Sequence, residues 1–162
     1  YQCPNMILTG GEPLLQQEAW IELMKLLREK DPNFRFEVET NGTQLPNQVF
    51  ASYINQFNVS PKLSNSGNGA KQRVCDKAFE FYRLQENTWF KFVISDESDL
   101  VEVQELIQRF DLPKTRILLM PEGRTPEALQ QRRLWLADVC RDIGLRFGDR
   151  LHIQLWGSKR GV

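Results

Sequence analysis

Histidine and cysteine are scarce in this chain, with one His and three Cys among 162 residues. Cys3, Cys75 and Cys140 are far apart and odd in number, and no CxxC or CxxxC spacing occurs. The sequence therefore offers no local metal-ligand cluster and no disulfide framework. A reduced, cytoplasmic protein is expected, with Cys140 as a small core residue on a helix. No Ser-His-Asp or Cys-His arrangement assembles around the lone His152, so no catalytic residue is assigned on that ground. Net charge is also missing: 21 basic residues balance 21 acidic ones. That argues against a nucleic-acid groove and against an acidic membrane surface. No apolar run approaches a membrane span, and no signal peptide or lipidation pattern is visible. No linker-like stretch and no internal repeat breaks the chain, so residues 1–162 read as one domain. The chain opens on Tyr1 rather than Met, a few residues before an apolar strand, so a natural start upstream is expected.

What is present is alternation. Met6-Ile7-Leu8 reads as a buried strand, Thr9-Gly10-Gly11 as a turn of little bulk, and Glu12-Pro13 as the opening of a helix over residues 13–30. Phe34 to Thr40 is a second strand and Phe57 to Ser60 a third, with a short helical or irregular crossover at 46–55. A Ser-, Asn- and Gly-rich loop runs from Lys62 to Gln72, followed by a helical stripe of Val74, Ala78, Phe81 and Tyr82. Trp89 to Ile94 is a fourth strand, and Ser98 is placed to cap the next helix. Arg116 to Met120 is a fifth strand, and Thr125-Pro126 starts a helix that Gly144 stops. Leu151 to Trp156 alternates as a sixth strand. Strand and helix in unbroken succession predict an α/β fold built on a parallel sheet.

Parallel α/β folds place ligands at the carboxyl ends of their strands. Those ends read Thr9-Gly10-Gly11-Glu12, Glu39-Thr40-Asn41-Gly42, Ser60-Pro61-Lys62, Ser95-Asp96 and Met120-Pro121-Glu122-Gly123. Most are small, polar or rich in Gly and Pro, which is what a polar small-molecule site requires. Paired glycines at a strand end bring bare backbone close to a ligand. Glu37 and Glu39 share one face of the second strand, either the solvated face of an open sheet or a barrel interior. Lys91, inside the fourth strand, is an edge residue or a partner for an anionic group.

Several stretches carry a resemblance. Thr9-Gly10-Gly11-Glu12-Pro13 resembles the GGEP motif of radical S-adenosylmethionine (SAM) enzymes. Glu39-Thr40-Asn41-Gly42-Thr43, Val59-Ser60-Pro61-Lys62-Leu63 and the tail Trp156-Gly157-Ser158-Lys159-Arg160-Gly161-Val162 narrow it to the 7-carboxy-7-deazaguanine synthases. The resemblance runs from Met6 to Val162 in order. It implies a partial TIM-type barrel of the radical SAM kind, with about six strands in this chain and the first strand-helix unit missing. The implied reaction contracts 6-carboxy-5,6,7,8-tetrahydropterin to 7-carboxy-7-deazaguanine with loss of ammonia, in queuosine and deazapurine biosynthesis. In the family a [4Fe-4S] cluster cleaves SAM reductively to a 5′-deoxyadenosyl radical, and Mg²⁺ supports the rearrangement. The cofactor carries the difficult chemistry, and the protein supplies position and shielding.

Carried over by motif, the cofactor-binding residues are Gly10, Gly11, Glu12 and Pro13, then Thr40 and Asn41, then Ser60, Pro61 and Lys62, then Met120, Pro121, Glu122 and Gly123. Backbone groups of the turn hold the methionyl ammonium, so Glu12 need not be an acid. Family members often carry Gln where this chain has Met120, which leaves backbone contacts there. Thr9, Trp156 and the C-terminal Val162 are the implied substrate-binding residues, and residues 156–162 form a tail that closes the pocket. The family's cluster cysteines, followed by Asp-Thr with Thr as a magnesium ligand, are expected upstream of Tyr1. The chain alone is then expected to be inactive. A pterin substrate, an electron donor such as flavodoxin, and a homodimer complete the implied partners. Two other readings stand beside this one: a glycyl-radical-activating enzyme, which shares GGEP, and a truncated, non-catalytic SAM-binding domain.

Overall fold

Buried positions alternate along the longer strands and recur every three to four residues along the longer helices, and this patterning builds an α/β fold. The computed structural model describes residues 3–159. The chain forms two compact units, Tyr1–Pro61 with Ala70–Trp89, and Lys62–Gly69 with Phe90–Val162.

In the first unit, β1 (Asn5–Leu8), β2 (Arg35–Thr40) and β3 (Gln56–Val59) lie side by side in chain order. Both pairings are parallel, with Leu8 opposite Val38 and Thr40 opposite Val59. Phe36, Val38 and Thr40 of β2 are buried and alternate with half-buried Glu37 and Glu39. The helices are α1 (Gln17–Lys30), α2 (Gln48–Tyr53), α3 (Ala70–Arg73) and α4 (Asp76–Leu84). Pro13–Gln16 is a separate 3₁₀ turn, so α1 proper begins later than Pro13. Arg28 of α1 donates to the Tyr53 carbonyl (2.8 Å) and sits over the rings of Phe36 and Tyr53. Its stem and charge thereby serve packing and hydrogen bonding together.

In the second unit, the strand residues of β4 (Thr88–Ile94) from Phe90 onward pair in parallel with β5 (Ile117–Pro121), and β5 pairs in parallel with β6 (Arg146–Phe147). Their helices are α5 (Glu97–Phe110), α6 (Pro126–Ile143) and α7 (Leu151–Trp156). The Thr125 hydroxyl accepts from the Ala128 amide, Pro126 occupies the first turn, and Gly144 ends α6 at φ 71°, as the sequence predicts. Cys140 is buried, also as expected.

Two expectations fail here. Ser98 is not the cap of α5: Asp96 is, its carboxylate accepting from the Ser98 amide, with Asp99 completing a capping box. The aspartate lies one step outside the first turn, where its oxygen reaches the open amides. The second failure is the sixth strand. Leu151–Trp156 is the helix α7, and the strand is the two-residue β6 before it. Leu151, Ile153 and Leu155 alternate, but only Ile153 is buried. Asp149 accepts from the Arg150 amide and the Gln154 side chain at the helix entrance, and Gly157, at φ 63°, ends the helix.

Candidate functional site

The parallel registers of the first unit bring the carboxyl ends of β1, β2 and β3 to one edge. Thr9, Gly10 and Gly11 are exposed there. Gly10 has φ 138°, and a Cβ built on Gly10 or Gly11 would meet nothing within 4 Å. The turn is therefore a shelf of backbone with open space above it, and Gly10 has the positive φ that side chains disfavour.

Glu12 ties this shelf to the next strand. One carboxylate oxygen accepts from the Leu14 amide (3.2 Å) and the Thr40 hydroxyl (2.8 Å), and the other from the Asn41 amide (2.9 Å). Thr40 is buried, and its hydroxyl accepts in turn from the Gly42 amide (3.1 Å). The Ser60 amide donates to the Thr40 carbonyl (2.7 Å), which joins the end of β3 to the same knot. Tyr82 of α4 donates its phenol to the Gln44 carbonyl at 3.1 Å. Burial pushes the phenol above its usual range; a hydrogen bond with Thr40 opposes the shift and the Glu12 charge adds to it. Tyr82 thus stays a neutral donor. Gly42, at φ 76°, packs so that a Cβ would lie 2.7 Å from the Val59 side chain. Thr9, Gly10, Gly11, Glu12, Pro13, Thr40, Asn41, Ser60 and Pro61 all belong to this unit. Glu37 lies further back on β2 and accepts from Asn58 (3.2 Å) and Gln56 (3.5 Å) of β3.

The second unit holds Lys62, Met120, Pro121, Glu122, Gly123 and Trp156. Lys62 is exposed and is followed by the buried Leu63. Pro121 ends β5, and the Glu122 amide donates to the Ile94 carbonyl at 2.8 Å. Arg132 of α6 donates to the carbonyls of Ser95 (3.0 Å) and Glu122 (3.2 Å), and Arg150 donates to the Gly123 carbonyl (2.9 Å). A Cβ on Gly123 would press within 2.9 Å of Leu129, so the loop runs hard against α6. Trp156 lies on α7 and is 51% exposed, which places a flat aromatic surface in the open rather than in the core. Arg160, Gly161 and Val162, with the expected role of the terminal residue, lie outside the described residues.

Sequence reasoning assigns no site role to Tyr82, Asp99, Arg132 or Arg150. Arg132 and Arg150 bind main-chain carbonyls, which no side-chain pattern announces. Asp99 has a readable signal in the acidic pair Asp96 and Asp99 at capping-box spacing.

No protein-family model matches the chain. Among curated proteins, it is 37% identical over 160 residues to the 7-carboxy-7-deazaguanine synthase of Pyrobaculum aerophilum, covering 97% of this chain and 67% of that protein. The chain belongs to the 7-carboxy-7-deazaguanine synthase family. The synthases of Clostridium acetobutylicum and Halobacterium salinarum are 34% and 32% identical over 98% and 95% of the chain, and 69% and 65% of their own lengths. The chain spans about two thirds of the length of these relatives. Among solved structures, a domain of pyruvate-formate lyase-activating enzyme from Bacteroides vulgatus has TM-score 0.59 at 16% identity, covering 89% of this chain and 97% of that one. Streptococcus suis SuiB bound to S-adenosylmethionine has TM-score 0.54 at 14% identity, covering 90% and 39%. Those likenesses fix the fold as the radical SAM kind that the strand-end motifs of the synthase family led one to expect.

Proposed function

We propose that the protein acts as a 7-carboxy-7-deazaguanine synthase, contracting 6-carboxy-5,6,7,8-tetrahydropterin to 7-carboxy-7-deazaguanine with release of ammonia. The observation that carries this reading is 37% identity to a synthase over nearly the whole chain.

SAM fits the residues present. The open backbone at Gly10 and Gly11 suits an ammonium group, which backbone carbonyls can accept, and a side chain at either position would fill the shelf. By motif resemblance alone, Ser60, Pro61, Lys62 and the Met120–Gly123 segment are assigned to the cofactor, and Thr9 and Trp156 to the pterin. Bound SAM would supply the radical that abstracts a substrate hydrogen. The chain's own part is to bind, to orient and to exclude water.

A [4Fe-4S] cluster does not fit the described residues. Cys3 is exposed, Cys75 half-buried and Cys140 buried, and among the described residues no three His, Cys, Asp or Glu side chains group to hold a metal. No helix among the described residues is long and apolar enough to cross a membrane. A cytoplasmic homodimer that receives electrons from a flavodoxin-type donor accords with this reading.

The likeness to the activating-enzyme domain favours a second reading, activation of a glycyl-radical enzyme, but at 16% identity it speaks for the fold alone. The test is anaerobic reconstitution of the full-length protein with the carboxytetrahydropterin, followed by mass spectrometry. Deazaguanine product is expected, and deletion of residues 156–162 should abolish it. Absence of product from a cluster-loaded protein would overturn the assignment.

A further inference from the structure

Ser95, the first residue after β4, is held at three of its polar atoms within the second unit. Its amide donates to Asp99 Oδ2 (2.7 Å), its carbonyl accepts from Arg132 Nε (3.0 Å), and its hydroxyl accepts from Asn65 Nδ2 (3.2 Å). Each of the three partners also holds something else. Asn65 donates to Asp99 Oδ2 (2.7 Å) and sits in the loop that begins with Lys62. Glu102, one helical turn beyond Asp99, accepts from the amide and hydroxyl of Ser64 (both 2.8 Å) and fastens the same loop. Arg132 reaches from Ser95 to the Glu122 carbonyl in the Met120–Gly123 segment. Asp99 is 1% exposed, and three donors, the third being the Asp96 amide (3.4 Å), converge on its Oδ2.

We propose that Asp99 and Arg132 are positioning residues that use Ser95 as a shared hub, fixing the Lys62 loop and the Met120–Gly123 loop relative to each other. On this proposal both act through the loops they hold and not on the cofactor itself. The inference rests on the reading that these two loops bind SAM, and it deepens that reading by saying what keeps them in register. A planar guanidinium that spans two carbonyls is suited to the task, and an ammonium in its place reaches only one.

The experiment is calorimetry of SAM binding to the full-length protein, with turnover and melting temperature measured in parallel. Asn65→Ala breaks the link to the Lys62 loop from an exposed position, and Arg132→Lys breaks the link to the Met120–Gly123 loop while keeping the charge. Each is expected to weaken SAM affinity about tenfold, the equivalent of one charge-assisted hydrogen bond. Their combination is expected to weaken it by much less than the product of the two. Asp99→Asn, which keeps one acceptor for both Asn65 and Ser95, is expected to retain most of the affinity. Arg141→Ala, at an exposed ion pair with Asp138 and Asp142, is the control expected to change nothing. Variants that melt early but bind SAM like the parent would overturn the inference, as would fully multiplicative effects in the double variant. A parent that binds SAM yet makes no deazaguanine overturns the synthase reading and leaves this readout intact. A parent that binds no SAM overturns both.

Discussion

Replacing Glu12 by glutamine separates two roles that a carboxylate in a cofactor motif can have. In the structure all three of its hydrogen bonds run inward: it accepts from the Leu14 amide, the Thr40 hydroxyl and the Asn41 amide. Every partner is a donor, and the Thr40 hydroxyl, which accepts from the Gly42 amide, gives its proton to Glu12. Glutamine keeps one acceptor and introduces an NH₂ group. In one orientation that group faces the Asn41 N–H. In the other it faces Leu14 N–H and leaves the Thr40 proton without an acceptor. The second strips two donors and is the costlier; the first strips only the Asn41 N–H, at a cost of about 1–3 kcal/mol. For a chain of this size that is a fall in melting temperature of roughly 2–12 °C. Thr40→Val removes the other side of the bond, and the double variant should cost less than the sum of the singles, because the two share one interaction. The assays are thermal and urea unfolding, with SAM calorimetry alongside. Glutamine that leaves stability unchanged and abolishes SAM binding would refute the reasoning and assign Glu12 to the ligand.

Other consequences are as direct. Gly42→Ala should destabilise by about 2 kcal/mol or more, since it combines a left-handed φ with a Cβ 2.7 Å from Val59, whereas Gly10→Ala should cost only backbone strain of about 1–3 kcal/mol yet weaken SAM binding by filling the shelf; urea unfolding and calorimetry read the pair. Cys140 should resist thiol reagents at pH 8 until the protein unfolds, because burial pushes its thiol up to about 11, while the exposed Cys3 reacts at once; mass spectrometry of the labelled protein distinguishes them. Hydrogen bonds from the Ser98 hydroxyl and amide hold the Asp96 carboxyl below its ordinary value. Its cap therefore stabilises fully above the unfolded value of about 3.9 and fades as pH falls through the lower folded one. Asp96→Ala should lower the melting temperature at pH 7, and the gap should narrow once pH falls below the ordinary aspartate value.

Where the sequence reading succeeded, one local rule sufficed. Thr125-Pro126 and Gly144 bracket α6 because cap, proline and left-handed glycine each act within a turn. The strand ends at Leu8, Thr40, Val59, Ile94 and Pro121 fall where apolar runs give way to Gly, Pro or short polar residues, and so these ends are legible in the sequence. The reading failed where local rules conflict. Leu151-His152-Ile153-Gln154-Leu155 has strand periodicity, but a helix with one buried residue needs no apolar stripe, and Asp149 and Gly157 mark its ends. β6 has only two residues, too few for any periodicity to register. The clasp on Ser95 was illegible for another reason. Asn65, Asp99 and Arg132 are far apart in the chain, and bonds from both Asn65 and Arg132 end on main-chain carbonyls.

The shelf at Gly10 and Gly11 also bears on how far a shared fold carries function. Backbone groups recognise the part of a cofactor that every enzyme using it presents, so a shelf of this kind is indifferent to the second substrate. The solved structures that share the fold include an activating-enzyme domain and SuiB, and their identities of 16% and 14% leave that indifference intact. Discrimination has to come from side chains that differ among these enzymes. The residues we propose for that task are Thr9, exposed beside the shelf, and Trp156, exposed on a helix that replaces the expected strand. A helix turns Trp156 through about 100° relative to its neighbour, where a strand would turn it through about 180°. The direction in which its ring faces is therefore set by where Asp149 and Gly157 start and stop that helix.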